Sequence, residues 1–215
     1  MAVPTLSWPS RIGLGVLAVF AFAVAAVSLR YLMADPPAAP PEVVANRFAD
    51  PFLPIHAGFA ALALAIGPVQ FLPRLRRSLP WLHRAVGVTY VTACLAGGVS
   101  GLALAVGTTS GPVAAAGFGG LAIAWLLTTG RGLALALAGR FAEHRRWMIR
   151  SYALTLAAVT LRLQLPASAM MDLPFETAYP AIAFLCWVPN LVLAELWIAA
   201  TGRLGQNQPA SRSAG

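Results

Sequence analysis

Apolar residues run along this chain in six long blocks, separated by short polar or proline-rich interruptions; they lie near 12–31, 52–73, 84–107, 113–136, 148–170 and 177–200. Each block has about the 20 residues a helix needs to cross a hydrocarbon core. The pattern predicts an all-α polytopic membrane protein, a six-transmembrane-helix bundle that leaves no room for a separate soluble domain. Residues 1–51 read as an N-terminal anchor helix and an external proline-rich loop, 52–200 as a five-helix membrane core, and 201–215 as a disordered cytoplasmic tail. The run Ile12 to Leu29 exceeds the roughly 7–15 apolar residues of a secretory signal, so the first span is expected to be an uncleaved anchor. Asp35-Pro36-Pro37, Pro40-Pro41 and Asp50-Pro51 predict an extended connector after it, because proline supplies no amide proton.

Short loops make the second to fifth spans antiparallel neighbours. A ring in that order sets the third span diagonally across from the fifth. Turning about 100° per residue puts His83, Gly87, Tyr90, Cys94, Gly97 and Gly101 on one stripe of the third span. His144, Ser151, Thr155 and Arg162 share a stripe of the fifth, and His56, Ala60, Ala63, Gly67 and Gln70 one of the second. Small residues let helix backbones approach closely in a membrane, so these stripes mark the interior.

Composition agrees: 59% of residues are hydrophobic and 10% charged, where a soluble domain has about 25% charged. Net charge is +8, and all 15 basic side chains are Arg. In a soluble protein that excess would point to nucleic acid; here the collection of arginine in short cytoplasmic loops explains it, and nucleic acid is not an expected partner. Arg74, Arg76, Arg77 and Arg84 fall in the second connection and Arg140, Arg145, Arg146 and Arg150 in the fourth. Asp35, Glu42, Asp50, Asp172 and Glu176 fall in the first and fifth. Both termini are therefore expected in the cytoplasm of a bacterium, with the chain in its inner (plasma) membrane. Heavy Ala usage and Arg-only basicity fit a GC-rich bacterial genome.

Candidate chemistry is sparse. Arg162 lies deep in the fifth span, and an arginine at the bilayer centre costs about 2.5–3.5 kcal/mol on insertion scales unless it faces the interior or snorkels outward. Its expected partners are Glu176, Asp172 or His56, while Glu195 is better placed for Arg150 or Arg146. His83 and His144 open the third and fifth spans at the same end. Two imidazoles facing across a bundle can hold a heme iron, with glycines 87, 97 and 101 making room for the macrocycle. The expected set around one heme b or a quinone is His83, His144, Arg84, Arg145 and Arg150, the arginines holding propionates or a quinone oxygen. His56 lies near the other surface, so a second bis-histidine heme cannot be built. A polar cavity is expected from His56, Gln70, Tyr152, Arg162, Asn190 and Glu195, with Pro189-Asn190 breaking the last span. Cys94 and Cys186 sit in helices as packing residues. Phosphate loops, nucleophile elbows and paired carboxylates are missing.

The segments His56…Gly67-Pro68-Val69-Gln70-Phe71, Leu82-His83-Arg84-Ala85-Val86-Gly87-Val88-Thr89-Tyr90 and His144-Arg145-Arg146-Trp147-Met148-Ile149-Arg150-Ser151-Tyr152, with Ala158-Val159-Thr160-Leu161-Arg162-Leu163 and Trp187-Val188-Pro189-Asn190-Leu191…Glu195, resemble a bacterial family of multi-pass membrane proteins, domain of unknown function 2306. The resemblance covers roughly 50–200 and implies topology and residue choice but no reaction. A weaker likeness is to diheme transmembrane b-type cytochromes, where a glycine follows a helix-opening histidine by four residues, as in His83…Gly87. This chain has too few histidines for two hemes.

Three functional expectations follow. The leading one is bilayer redox work with one heme b or a quinone, a separate redox protein being the partner besides the lipid. The second is transport of a small molecule or ion past Arg162, Asn190, Glu195 and His56. The third is a non-catalytic assembly subunit.

Overall fold

The computed structural model describes residues 8–33, 35–37 and 39–206. Six stretches are long and apolar enough to cross a membrane: Gly13–Leu32, Ala49–Gln70, Pro80–Gly107, Gly111–Leu137, Phe141–Met170 and Phe175–Thr201. They are built from α1 (Trp8–Ser28), α2 (Ala49–Gln70), α3 (Pro80–Gly107), α4 (Gly111–Leu137), α5 (Phe141–Thr155), α6 (Ala157–Met170), α7 (Phe175–Leu185) and α8 (Val188–Gln206). The described residues contain no strand. The expected six-helix bundle is therefore what the chain forms, with the fifth and sixth spans each made of two helices.

Proline sets several boundaries. Pro80 and Pro112 occupy the first turns of α3 and α4, where a missing amide proton costs nothing. The α5–α6 bend at Leu156 follows Ser151 and Thr155, and the Thr155 hydroxyl donates to the Ser151 carbonyl. Such back-bonding bends helices. The fifth span starts well before the apolar block at 148, because Phe141–Arg150 is helical despite its charge.

Around the ring α2 packs on α3, α3 on α4 and α4 on α5, with α5 returning to α2. The diagonal from α3 to α5 is bridged by side chains alone. At its centre lie Tyr90, Cys94, Trp125, Tyr152 and Leu154, all buried. α1 is no detached anchor: Ala21 and Ala25 pack with Ala61, Leu64 and Val159, seating it against α2 and α6.

The proline-rich loop also differs from the extended connector expected. After the 3-10 turn at Leu29–Leu32 that finishes the first span, it forms a short helix at Pro41–Val44, then ties itself to the end of α3. There the Asn46 amide donates to the Leu104 carbonyl at 2.7 Å and the Arg47 amide to the Gly107 carbonyl at 3.0 Å. The expected tail is partly helix too: α8 runs to Gln206, because nothing in Thr201–Gln206 breaks it, and 207–215 lie outside the described residues.

Candidate functional site

The middle of the bundle is polar and closed. Tyr90 Oη lies 3.1 Å from Ser151 Oγ and 3.0 Å from Thr155 Oγ1. Trp125 Nε1 donates to Thr155 Oγ1 at 3.0 Å, and Thr129 Oγ1 meets Ser151 Oγ at 2.7 Å. The stripes read on the third and fifth spans thus meet. Trp125 and Thr129 of α4 complete the network; a Trp and a Thr one turn apart in an apolar helix were the signal for them. Every hydroxyl here has a partner, which makes the centre a rigid fastening.

The glycines expected to leave room for a macrocycle are packed against. A Cβ on Gly97 would lie 3.2 Å from the Trp125 ring, one on Gly101 2.9 Å from His56 Nδ1, and one on Gly87 3.6 Å from Gln70 Oε1. Close packing by neighbouring side chains has used that space.

Two helix breaks are repaired by side chains from other helices. Pro68 leaves the Leu64 carbonyl without its backbone donor, and Tyr152 Oη donates to it. Pro189 does the same to Leu185, whose carbonyl accepts from Gln164 Nε2 at 3.1 Å. Asn190 Nδ2 donates to the Cys186 carbonyl at 3.1 Å and to Thr160 Oγ1 at 2.9 Å. Satisfying such freed groups internally is what a membrane demands. Gln164 went unnoticed in the sequence, although an amide inside an apolar block is itself a signal.

At the arginine-rich end the geometry is less complete. His144 Nδ1 is 2.8 Å from the Gly132 carbonyl. A carbonyl only accepts, so Nδ1 carries the proton and Nε2 keeps a lone pair in the neutral ring. Gly132 lets α5 come this close, since a Cβ there would meet Met148 Sδ at 2.6 Å. His83 stands one turn before Gly87 on α3, and Gln70 lies over Gly87. His83 Nδ1 and Gln70 Nε2 are both buried and have no hydrogen-bond partner. Arg76 and His144 lie within electrostatic reach of His83. The Phe71 and Tyr152 rings lie 5.6 Å apart at 54°, and Phe71 follows Gln70 in the chain.

Of the three arginines expected around a ligand, Arg150 is already engaged. Its Nε and Nη2 donate to Glu195 at 2.5 and 2.8 Å, and its guanidinium lies 4.7 Å from the Trp147 ring centroid. Glu195 therefore pairs with one of its two expected partners, and Arg150 fastens α5 to α8. Arg84 and Arg145 are exposed.

The six residues expected to line one cavity are dispersed. His56 Nδ1 meets the Gly97 carbonyl at 2.8 Å, and Gln70 stands at the other end of α2. Tyr152 and Asn190 serve the helix breaks, and Glu195 holds Arg150. Arg162 reaches neither Glu176 nor Asp172 with an ion pair. It donates to Ser28 Oγ at 2.8 Å and to the Ala158 carbonyl at 3.1 Å, because the α1 packing brings Ser28 to its level. His56 lies within its electrostatic reach.

Six apolar spans, satisfied helix breaks and a closed polar centre define a polytopic helical membrane protein. The family described as predicted membrane protein, domain of unknown function 2306, matches residues 53–198. The chain belongs to that family. No match was found among curated proteins, nor among solved structures.

Proposed function

We propose that the arginine-rich end binds the head group of a lipid-soluble quinone, which makes the chain a quinone-binding membrane redox protein. The observation carrying this reading is the pair of buried, unpartnered nitrogens on His83 and Gln70. A buried donor left unpaired costs about 1–3 kcal/mol, and quinone carbonyl oxygens are acceptors that can take both. Phe71, next to Gln70 in the chain, offers an aromatic ring at this end of α2, and Arg84 and Arg145 are exposed and can meet an oxygen anion. By the excess of arginine in short cytoplasmic loops, this end faces the cytoplasm of a bacterial inner membrane.

A second reading places one heme b between His83 and His144. It is favoured by the His144 Nδ1 bond to Gly132, which fixes the ring and leaves Nε2 free as an axial ligand. The filled glycine face weighs against it.

One purified sample separates the two. Tryptophan fluorescence is titrated with a short-chain benzoquinone in wild type, His83→Ala, Gln70→Leu and His56→Asn. Saturable quenching, lost in the first two variants and kept in the third, is expected. Quenching that never saturates, or that is equal in all four, overturns the quinone site. A Soret band with sharp reduced α and β bands, lost in His83→Ala and His144→Ala, would replace it with the heme reading.

A further inference from the structure

A second candidate site lies at the opposite end of the bundle. α1 and α6 leave an open groove of about 380 Å³ between them. Its walls are apolar, from Val24 and Val27 on one side and Leu165 and Pro166 on the other, and Arg30 and Arg162 complete the lining.

Neither arginine has a carboxylate partner. The seven Asp and Glu of the chain all lie among the described residues, and the ion pairs found there are Arg140 with Glu143 and Arg150 with Glu195. Arg162 Nη2 is held at the level of Ser28. Arg30 turns over the Tyr31 ring at 5.0 Å and gives Nη2 to the Tyr31 hydroxyl at 3.2 Å. Its Nε is buried and without any partner. Two like charges on one groove repel each other, and at this depth solvent screens them poorly.

We propose that the groove holds an anionic phospholipid, its phosphate between Arg30 and Arg162 and one acyl chain running inward past Val27 and Val24. The charge count favours this occupant, since two cations lacking counter-anions match one phosphate through charge-assisted hydrogen bonds. Arg30 adds a second cue, since its buried Nε has no partner among the described residues. The groove shares no residue with the His83–Gln70 pair, and the two proposals stand or fall separately.

The test is lipid retention in native mass spectrometry. Full-length protein is delipidated in detergent and titrated with phosphatidylglycerol, phosphatidylcholine or inorganic phosphate. Wild type is expected to prefer phosphatidylglycerol, with roughly a fivefold loss of that preference for each charge removed in Arg30→Gln and Arg162→Gln. Arg162→Lys keeps the charge and retains most of it. Should Arg162→Gln fail to fold, Arg30→Gln with Arg162→Lys still decides. Equal retention of the two lipids by wild type overturns the proposal, as does a preference that survives in Arg30→Gln. Protection by inorganic phosphate equal to that by the lipid also overturns it, since the acyl chain would then contribute nothing.

Discussion

The Tyr152 hydroxyl donates to the Leu64 carbonyl at 3.3 Å, the group that Pro68 leaves without a backbone donor. The Cε2–Cδ2 edge of the same ring lies against Gly67, where a Cβ would run into it. Gly67, Pro68 and Tyr152 thus form one device: glycine admits the ring, proline frees the carbonyl and tyrosine caps it. Tyr152→Phe should cost about 0.6 kcal/mol, the average for such bonds in membranes. Gly67→Ala should cost more, roughly 1–3 kcal/mol, through overpacking. In a Pro68→Ala background the carbonyl regains a backbone donor, so the Tyr152→Phe loss should shrink toward zero. A double-mutant cycle on detergent unfolding checks this; an undiminished loss would break the link between proline and hydroxyl.

The buried network ranks its members. Thr155 Oγ1 accepts from Trp125 Nε1, meets Tyr90 Oη and donates to the Ser151 carbonyl. Thr155→Val keeps the shape and leaves the indole unpaired, at about 1–3 kcal/mol for each orphaned group. Ser151→Ala orphans Thr129, while Tyr90 keeps Thr155. Thermal unfolding should therefore place Thr155→Val below Ser151→Ala and both below wild type. The reverse order would mean that Ser151 is the hub.

The Arg150–Glu195 pair ties α5 to α8, but the Glu195 side chain is 47% exposed. Its coupling should stay under about 1 kcal/mol and fade with salt. Arg150→Glu or Glu195→Arg alone should lower stability, and the double exchange should recover most of the loss at low ionic strength. A recovery that is equally large at high salt would show the pair to be shielded from solvent.

Much of this architecture was legible in the chain. Hydropathy located all six spans to within a few residues wherever the helix ends were apolar. It missed only the start of the fifth, because charge hides a helix from such a scale while leaving its backbone unaffected. Helical turning put Tyr90 and Cys94 on one inner stripe and Ser151 and Thr155 on another, and these stripes meet. Depth alone narrows the partner of Glu195 to Arg150 or Arg146, and Arg150 is the one it meets. What stayed hidden depends on which helices are neighbours. Ser28 as the partner of Arg162, Gln164 for Leu185 and Gln70 over Gly87 all join residues of different helices, and no spacing rule reaches that far. The glycines misled for a related reason: a stripe of small residues signals close approach without saying what approaches, and here it was Trp125 and His56.

Orientation can be read with cysteines, because the native pair is silent. Cys94 and Cys186 are free and at most 1% exposed, so a membrane-impermeant maleimide should ignore the unmodified chain. Arg145 and Glu176 are exposed at opposite ends of the bundle. With the arginine clusters inside, Glu176→Cys should label on intact cells and Arg145→Cys only after permeabilisation. That outcome puts the His83–Gln70 pair on the cytoplasmic side and the Arg30–Arg162 groove in the outer leaflet. The opposite pattern would turn the chain over, exchange the leaflets that serve the two sites, and show that 15 arginines do not set this topology. The charge bias would then need another cause, and the free arginines Arg84 and Arg145 would be the first place to look for it.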